Sequence, residues 1–591
     1  MNCLGLIVVT LLLFAIAYRF YGAFIAARVL QLSDFNVTPA NRLEDGRNYH
    51  AMNKYVVFGH HFAAIAGPGP LVGPVLAAQF GYLPGTLWIL IGAVLAGGVH
   101  DLVILVASIR SNGKSLAEIA KDNISPLSGV MALIAILFMG VTAVAGLAMV
   151  VVNTLAESAW GTFTIFLTIP IAMYVGLHME VFRKGKIREA SIIGVVLVLG
   201  AVFFGGMIHM SPIAGFFTFS KQQITFAIII YGFLASVLPI WLLLAPRDYL
   251  SSYMKIGTIA ILTLGIIIVN PEFHTPALTK YIHGGGPIIP GTVWPFVFIT
   301  IACGALSGAH AIIATGTSPK LISREKDALF IGYGAMLFEG FVSITAIISA
   351  SVLLPNDYLA INVDPSKWAA LGIVPVELDN LSRMVNESLA GRTGGAVTLA
   401  VGMAHIFSRI PGMGHLMAYW YHYAIMFEAL FILTTVDAFT RVGRYMFQET
   451  IGRFSPKMGR INYWPSVFLT SALFCAAWGY LLYQNDISSI WPMFGVANQL
   501  LATLTLVVCT CWLLNNTSKK RYALLTAVPA VLMAVTTFAA GYLVIVDRFF
   551  PMAMRGEING WLNTIFTLVM MVCMVVTFID GSWRIAKKLR G

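Results

Sequence analysis

The sequence predicts an all-α polytopic membrane protein with about fifteen membrane-crossing helices, and three observations carry that expectation. Of 591 residues, 58% are hydrophobic and 11% charged, against roughly 25% charged in soluble domains. Apolar runs long enough for a hydrocarbon core of about 30 Å recur from one end of the chain to the other. The 37 Lys and Arg outnumber the 26 Asp and Glu, and they sit in short loops between those runs, the pattern of loops retained in the cytoplasm. That placement argues for a lipid bilayer as partner and against nucleic acid.

The opening run MNCLGLIVVTLLLFAIAYRFYGAF lacks a basic start and a small-residue cleavage site, so it reads as a retained helix over 4–25. Basic loops at 28–54, 110–121, 182–189, 247–255, 320–326, 441–460 and 519–521 are expected in the cytoplasm with the tail RIAKKLRG. The loops near Leu83, Ser158, His274, 355–392 and Asn485 are expected outside. Threading the apolar runs through that alternation gives spans near 56–80, 86–109, 129–152, 162–178, 190–208, 224–246, 256–270, 293–317, 328–354, 415–440, 464–483, 489–513, 524–546 and 560–580. The C-terminus then falls in the cytoplasm and the N-terminus outside. The stretch 393–414 is too short and too rich in Gly for a span and fits a re-entrant or interfacial helix. Residues 1–55 thus form a helix and its link, 56–246 and 247–440 the two parts of a transporter core, and 441–591 the C-terminal helices.

Setting aside the first span and the last four leaves ten core spans, and the first and sixth of these are interrupted. The first carries FGHHFAAIAGPGPLVGP, and the sixth carries Pro239, near Trp241, and then Pro246. They stand five spans apart, an odd number, so they enter from opposite faces. The spacing predicts a five-plus-five inverted repeat with broken first and sixth core helices. Proline removes a backbone donor and glycine removes the steric bias toward helix, so each break frees main-chain groups at membrane depth. Half-helix ends there suit a carboxylate at the positive end and a cation at freed carbonyls. The expected substrate-binding residues are His60, His61, Gly67, Pro68, Gly69, Pro70, Pro239 and Trp241. His60 and His61 stand about 100° apart on their helix, so at most one faces the break squarely.

Coupling to an ion gradient points to the span 293–317. His310 suits a proton, because an unperturbed imidazole titrates near neutrality. Ser307, Thr315, Thr317 and Ser318 would instead supply oxygens for sodium, and Gly304 with Gly308 forms a GxxxG face for a close helix neighbour. Other ionisable groups in the spans are expected to pair structurally: Asp101 with Arg110, and Glu339, Glu428 and Asp437 with loop arginines. His100, His405 and His422 complete the set.

The six cysteines show no paired CxxC spacing, so neither zinc nor a disulfide framework is indicated. Walker A and GxSxG strings are absent from the sequence. No enzyme activity, metal or cofactor is expected, apart from a coupling ion, H+ or Na+. A reading of another class, a redox subunit with haem held by His60, His310, His405 or His422, leaves the recurrence of broken helices unaccounted for.

The string NKYVVFGHHFAAIAGPGPLVGPVLAAQFGYLPGTLWILIGAVLAGGVHDLV, residues 53–103, resembles the carbon starvation protein A family. So do CGALSGAHAIIATGTSPK, WYHYAIMFEALFILTTVDAFTRVGRYMFQE and WPMFGVANQLLA. The resemblance implies a bacterial inner-membrane uptake carrier for peptides or pyruvate, induced on carbon limitation, with the five-plus-five fold of the LeuT-like amino-acid carriers. It brings no catalytic signature to carry onto particular residues.

Overall fold

The computed structural model describes residues 2–45, 49–183, 187–239, 242–452, 455–460 and 463–590. Among these, twelve helices are long and apolar enough to cross a membrane, and a bent pair raises the number to thirteen. The chain is a multi-pass membrane protein. Its helices are α1 Cys3–Val29, the bent pair α2 Lys54–Ile65 and α3 Gly69–Phe80, α4 Tyr82–Arg110, α5 Pro126–Leu155, α6 Ala159–Leu177 and α7 Glu189–His209. There follow α8 Lys221–Val237, α9 Leu244–Val269, α10 Val293–Thr300 and α11 Gly308–Gly316. The remainder are α12 Glu325–Ser351, α13 Ala396–Ser408, α14 Gly414–Glu449, α15 Trp464–Gln484, α16 Ile487–Asn516, α17 Lys520–Met554 and α18 Ile558–Arg590.

Two expected spans take another form. The span at 224–246 stops at Val237, and the next helix already begins at Leu244. The span at 293–317 is two short helices separated by the non-helical segment 301–307. The stretch 393–414 holds the buried 13-residue helix α13, and the loop 355–392 carries the short helices Pro355–Asn362 and Leu378–Val385.

The chain divides into two compact units. The first comprises Met1–Leu4, Gly140–Pro276 and Thr345–Ile490. In it α6 packs on α7, and α14 packs on α13, α15, α8 and α9. The end of α8 follows from Pro239, which has no N–H to offer the Ala235 carbonyl. Arg441 of α14 takes that place, donating to the carbonyls of Ala235 at 2.5 Å and Leu238 at 2.6 Å, while Arg444 donates to Ser236 at 2.6 Å. Tyr231 and Arg247 converge on the buried Asp437, at 2.5 and 3.6 Å from its Oδ2. The expected pairing of Asp437 with an arginine is thus present.

The second unit comprises Gly5–Met139, Ala277–Ile344 and Trp491–Gly591. Its first broken helix starts at Asn53, whose side chain accepts from the Tyr55 N–H. It leaves helical geometry at Ala66 (φ −72°, ψ 64°) and resumes at Gly69 with Pro70 in the first turn, bent by 45°. Gly81 then turns the chain at φ +101°, where a Cβ would sit 2.3 Å from the Ala277 carbonyl oxygen.

Candidate functional site

The break at Ala66–Pro68 meets a second break in the same unit. A Cβ on Gly69 would lie 2.3 Å from Cys303 Sγ, and one on Gly73 would lie 2.4 Å from the Thr300 carbonyl oxygen. Both glycines are therefore needed for the first broken helix to touch the segment 301–307. Helix α2 packs on α11 and α3 on α10, so the two broken helices cross in opposite directions. Within its own unit, the segment that meets the Gly67–Pro70 break is thus 301–307. Pro239 belongs to the first unit, where Arg441 satisfies the carbonyls near it, and Trp241 lies outside the described residues. The second break contains no proline. Small residues, Ala302, Gly304, Ala305 and Ser307, permit it, and side chains from neighbouring helices hold it open.

Several main-chain groups at this break have a specific side-chain partner. Trp88 Nε1 of α4 donates to the Ile301 carbonyl at 3.1 Å, and Trp491 Nε1 of α16 lies 3.4 Å from the Thr300 carbonyl. Gln499 Nε2 donates to Leu306 at 3.0 Å and to Phe298 at 3.3 Å. Asn498 Oδ1 accepts from the Ala309 N–H at 3.0 Å and the Ser307 hydroxyl at 3.2 Å, while its Nδ2 reaches Cys303 Sγ at 3.4 Å. An unpaired buried amide or carbonyl costs about 1–3 kcal/mol, so this set of amides and indoles makes a proline-free break stable. The sequence reading left these residues without a role. Their signal was the adjacent amides Asn498 and Gln499 inside an apolar run.

Three residues beyond the break, His310 stands between two carboxylates. Its Nδ1 lies 2.8 Å from Asp101 Oδ2 and its Nε2 lies 3.0 Å from Glu339 Oε2, and all three side chains are fully buried. His100 Nδ1 lies 2.7 Å from the other oxygen of Asp101. An ionised carboxylate only accepts. The Nδ1 contact is a hydrogen bond, whereas Nε2 and Glu339 Oε2 are at ion-pair distance. The imidazole and the two carboxylates thus form one buried acid–base cluster. Asp101 therefore does not pair with Arg110 as expected. Arg110 binds Glu325 instead, at 2.7 Å, and Glu339 faces a histidine rather than a loop arginine.

The other expected site residues are scattered. His61 is buried, with Nδ1 2.7 Å from the Ser318 hydroxyl, whereas His60 is exposed and 3.4 Å from the Thr317 hydroxyl. The Thr315 hydroxyl donates to Ala311 in its own helix and accepts from the Leu116 N–H. Ser307 alone of the four hydroxyl residues borders the break, so the four do not converge as a cage. Among the described residues no cluster of three or more His, Cys, Asp or Glu suits a metal ion.

Comparisons with known proteins show the family. Residues 2–540 match the model of the family described as carbon starvation protein CstA. The chain is 46% identical over 574 residues to the peptide transporter CstA of Bacillus subtilis, covering 97% of this chain and 95% of the relative. It is 45% identical over 585 residues to the pyruvate/proton symporter BtsT of Escherichia coli, covering 91% and 81%. It is 45% identical over 567 residues to the peptide transporter CstA of the same organism, covering 92% and 81%. A solved manganese transporter of Eremococcus coleocola covers 92% of this chain and 99% of its own at 11% identity, with a TM-score of 0.46, too low to equate the folds. With its family model matched over nearly all its length and relatives near half identity, the chain belongs to the carbon starvation protein CstA family.

Proposed function

We propose that the protein is a proton-coupled secondary carrier that imports a small carboxylate-bearing nutrient, a peptide or pyruvate, across the bacterial inner membrane under carbon limitation. The observation that carries the reading is the buried contact of His310 with both Asp101 and Glu339 next to the crossing of two broken helices. The names of the relatives, a pyruvate/proton symporter and peptide transporters, supply the substrate classes. The opposed directions of the two broken helices support an inverted relation between them, although the second break, at 293–316, does not fall five spans after the first as a five-plus-five repeat requires. Loop charge supports a C-terminus in the cytoplasm and an N-terminus outside.

The chemistry follows from charge. With one proton beyond a neutral imidazole and two carboxylates the triad carries a single net negative charge, and a second proton cancels it. Burying uncompensated charge at membrane depth is expensive. A carboxylate brought to the positive end of α3, at the main chain of Gly67–Pro70, is therefore best accompanied by a proton on the triad. Both leave together when the gap opens to the other side. His61, held against Ser318, ties α2 to the end of α11 and couples the halves mechanically.

A sodium-driven carrier of the same fold is the second reading, favoured by Ser307 and the main-chain oxygens of 301–307. Uptake of labelled pyruvate and of a dipeptide into proteoliposomes, under a proton gradient or a sodium gradient imposed one at a time, separates the two. Uptake that follows the proton gradient, and is lost in His310→Gln, is the expected result. Uptake driven by sodium alone would replace the proton reading.

A further inference from the structure

A second buried acid and base meet in the first unit. Glu387 lies between the short helix Leu378–Val385 and α13, with its side chain 4% exposed. Its Oε1 accepts from the Ser158 hydroxyl and lies 4.0 Å from His422 Nε2, and its Oε2 lies 3.5 Å from the Tyr421 hydroxyl. Arg392 approaches Oε2 at 4.0 Å but also donates to the carbonyls of Ala156 and Thr154, which divides its attention. Burial pushes the Glu387 carboxyl up from the ordinary glutamate range, against the pull of Arg392.

His422 is built differently from a structural histidine. It is fully buried, and its Nε2 faces the Val385 carbonyl at 3.3 Å, which places the proton on that nitrogen. Nδ1 is left as an acceptor with no hydrogen-bond partner among the described residues. Trp160 stacks on the ring at 3.9 Å and 15°, but its own N–H is committed to the Val202 carbonyl. The other ionisable groups turned toward the pair are Arg392 and Tyr421, His209 across Trp160, and Glu428 further along α14.

We propose that Glu387 and His422 form a second proton-binding site, facing the side of the membrane where the loops at Ser158 and 355–392 are expected, the outside, and that outside pH acts on transport through it. The proton comes from water on that side and neutralises the Glu387 carboxylate, and the His422 ring stands beside it with Nε2 at 4.0 Å and an unused acceptor at Nδ1. The inference rests on the carrier reading and its loop orientation, and shares no residue with the Asp101, His310 and Glu339 triad.

Two measurements test it. In pH-difference infrared spectra of the purified protein, the C=O band of a protonated buried carboxyl is expected to titrate, to vanish in Glu387→Gln, to shift its midpoint in His422→Gln, and to persist in His310→Gln. If Glu387→Gln fails to fold, Glu387→Asp is expected to keep the band with a changed midpoint. In proteoliposomes, Glu387→Gln is expected to flatten the dependence of uptake on outside pH while uptake itself persists. A titrating band unchanged in Glu387→Gln, or a variant with the native dependence on outside pH, overturns the site. Wild-type vesicles that take up neither substrate overturn the carrier reading alone, because the infrared result still decides whether Glu387 binds the proton.

Discussion

A buried histidine with a carboxylate near each ring nitrogen is constrained by charge: any proton gained or lost there changes the net charge buried among the three groups. That constraint makes His310 responsive to a change of charge nearby, and it sets the effect of substitution. His310→Gln should lower proton-driven uptake at least roughly tenfold, the size of losing a charge-assisted hydrogen bond of about 1.5 kcal/mol or more, while exchange of substrate at equal pH continues. Removing a partner is a different injury. Asp101→Ala leaves buried charge uncompensated and should destabilise the folded protein by about 3–5 kcal/mol, read as earlier thermal unfolding in detergent, whereas Asp101→Asn should cost less. The sequence marked His310 as an intramembrane histidine. Its partners Asp101 and Glu339 stand 209 and 29 residues away in the chain, and the nearer positive charge of Arg110 suggested the wrong pairing for Asp101.

The two broken helices are stabilised by opposite means, and each predicts its own failure. The first is broken by its own residues, Pro68 and Pro70, and needs a glycine where it crosses the second. Gly69→Ala would press a methyl group against Cys303, so folded yield and uptake should both fall, and adding Cys303→Gly should restore part of each, with a coupling of about 0.5–3 kcal/mol. The second is broken by its neighbours. Asn498→Leu leaves the Ala309 N–H without its acceptor and should cost about 1–3 kcal/mol, measured as a lower unfolding temperature. This asymmetry explains why one break was legible in the sequence and the other was not. Prolines announce themselves locally, whereas a segment held open by Trp88, Trp491, Asn498 and Gln499 shows only as a run of small residues.

At the scale of the whole molecule the orientation rests on loop charge. All six cysteines are buried, so an impermeant thiol reagent should modify a cysteine introduced at the exposed Lys367 from outside the cell, and one at the exposed Ser518 only after the membrane is opened. Labelling in the reverse pattern would invert the assignment of import and move the Glu387 and His422 site to the cytoplasmic face. The helices beyond 441 also take a definite part: α16 is buried over most of its length and supplies Trp491, Asn498 and Gln499 to the break, so it belongs to the working part of its unit.

By itself the sequence determined that the chain lives in a bilayer, where nearly all its spans lie, that one helix must break at Gly67–Pro70, and that histidines stand at membrane depth. These are local consequences of hydropathy and of residues that cannot continue a helix. Which second segment meets that break, which carboxylates stand against His310, and where the freed carbonyls find their donors were decided only by the tertiary structure. The reason is physical: in lipid each main-chain group must be satisfied within the protein, and the side chains that do so come from helices far apart in the chain.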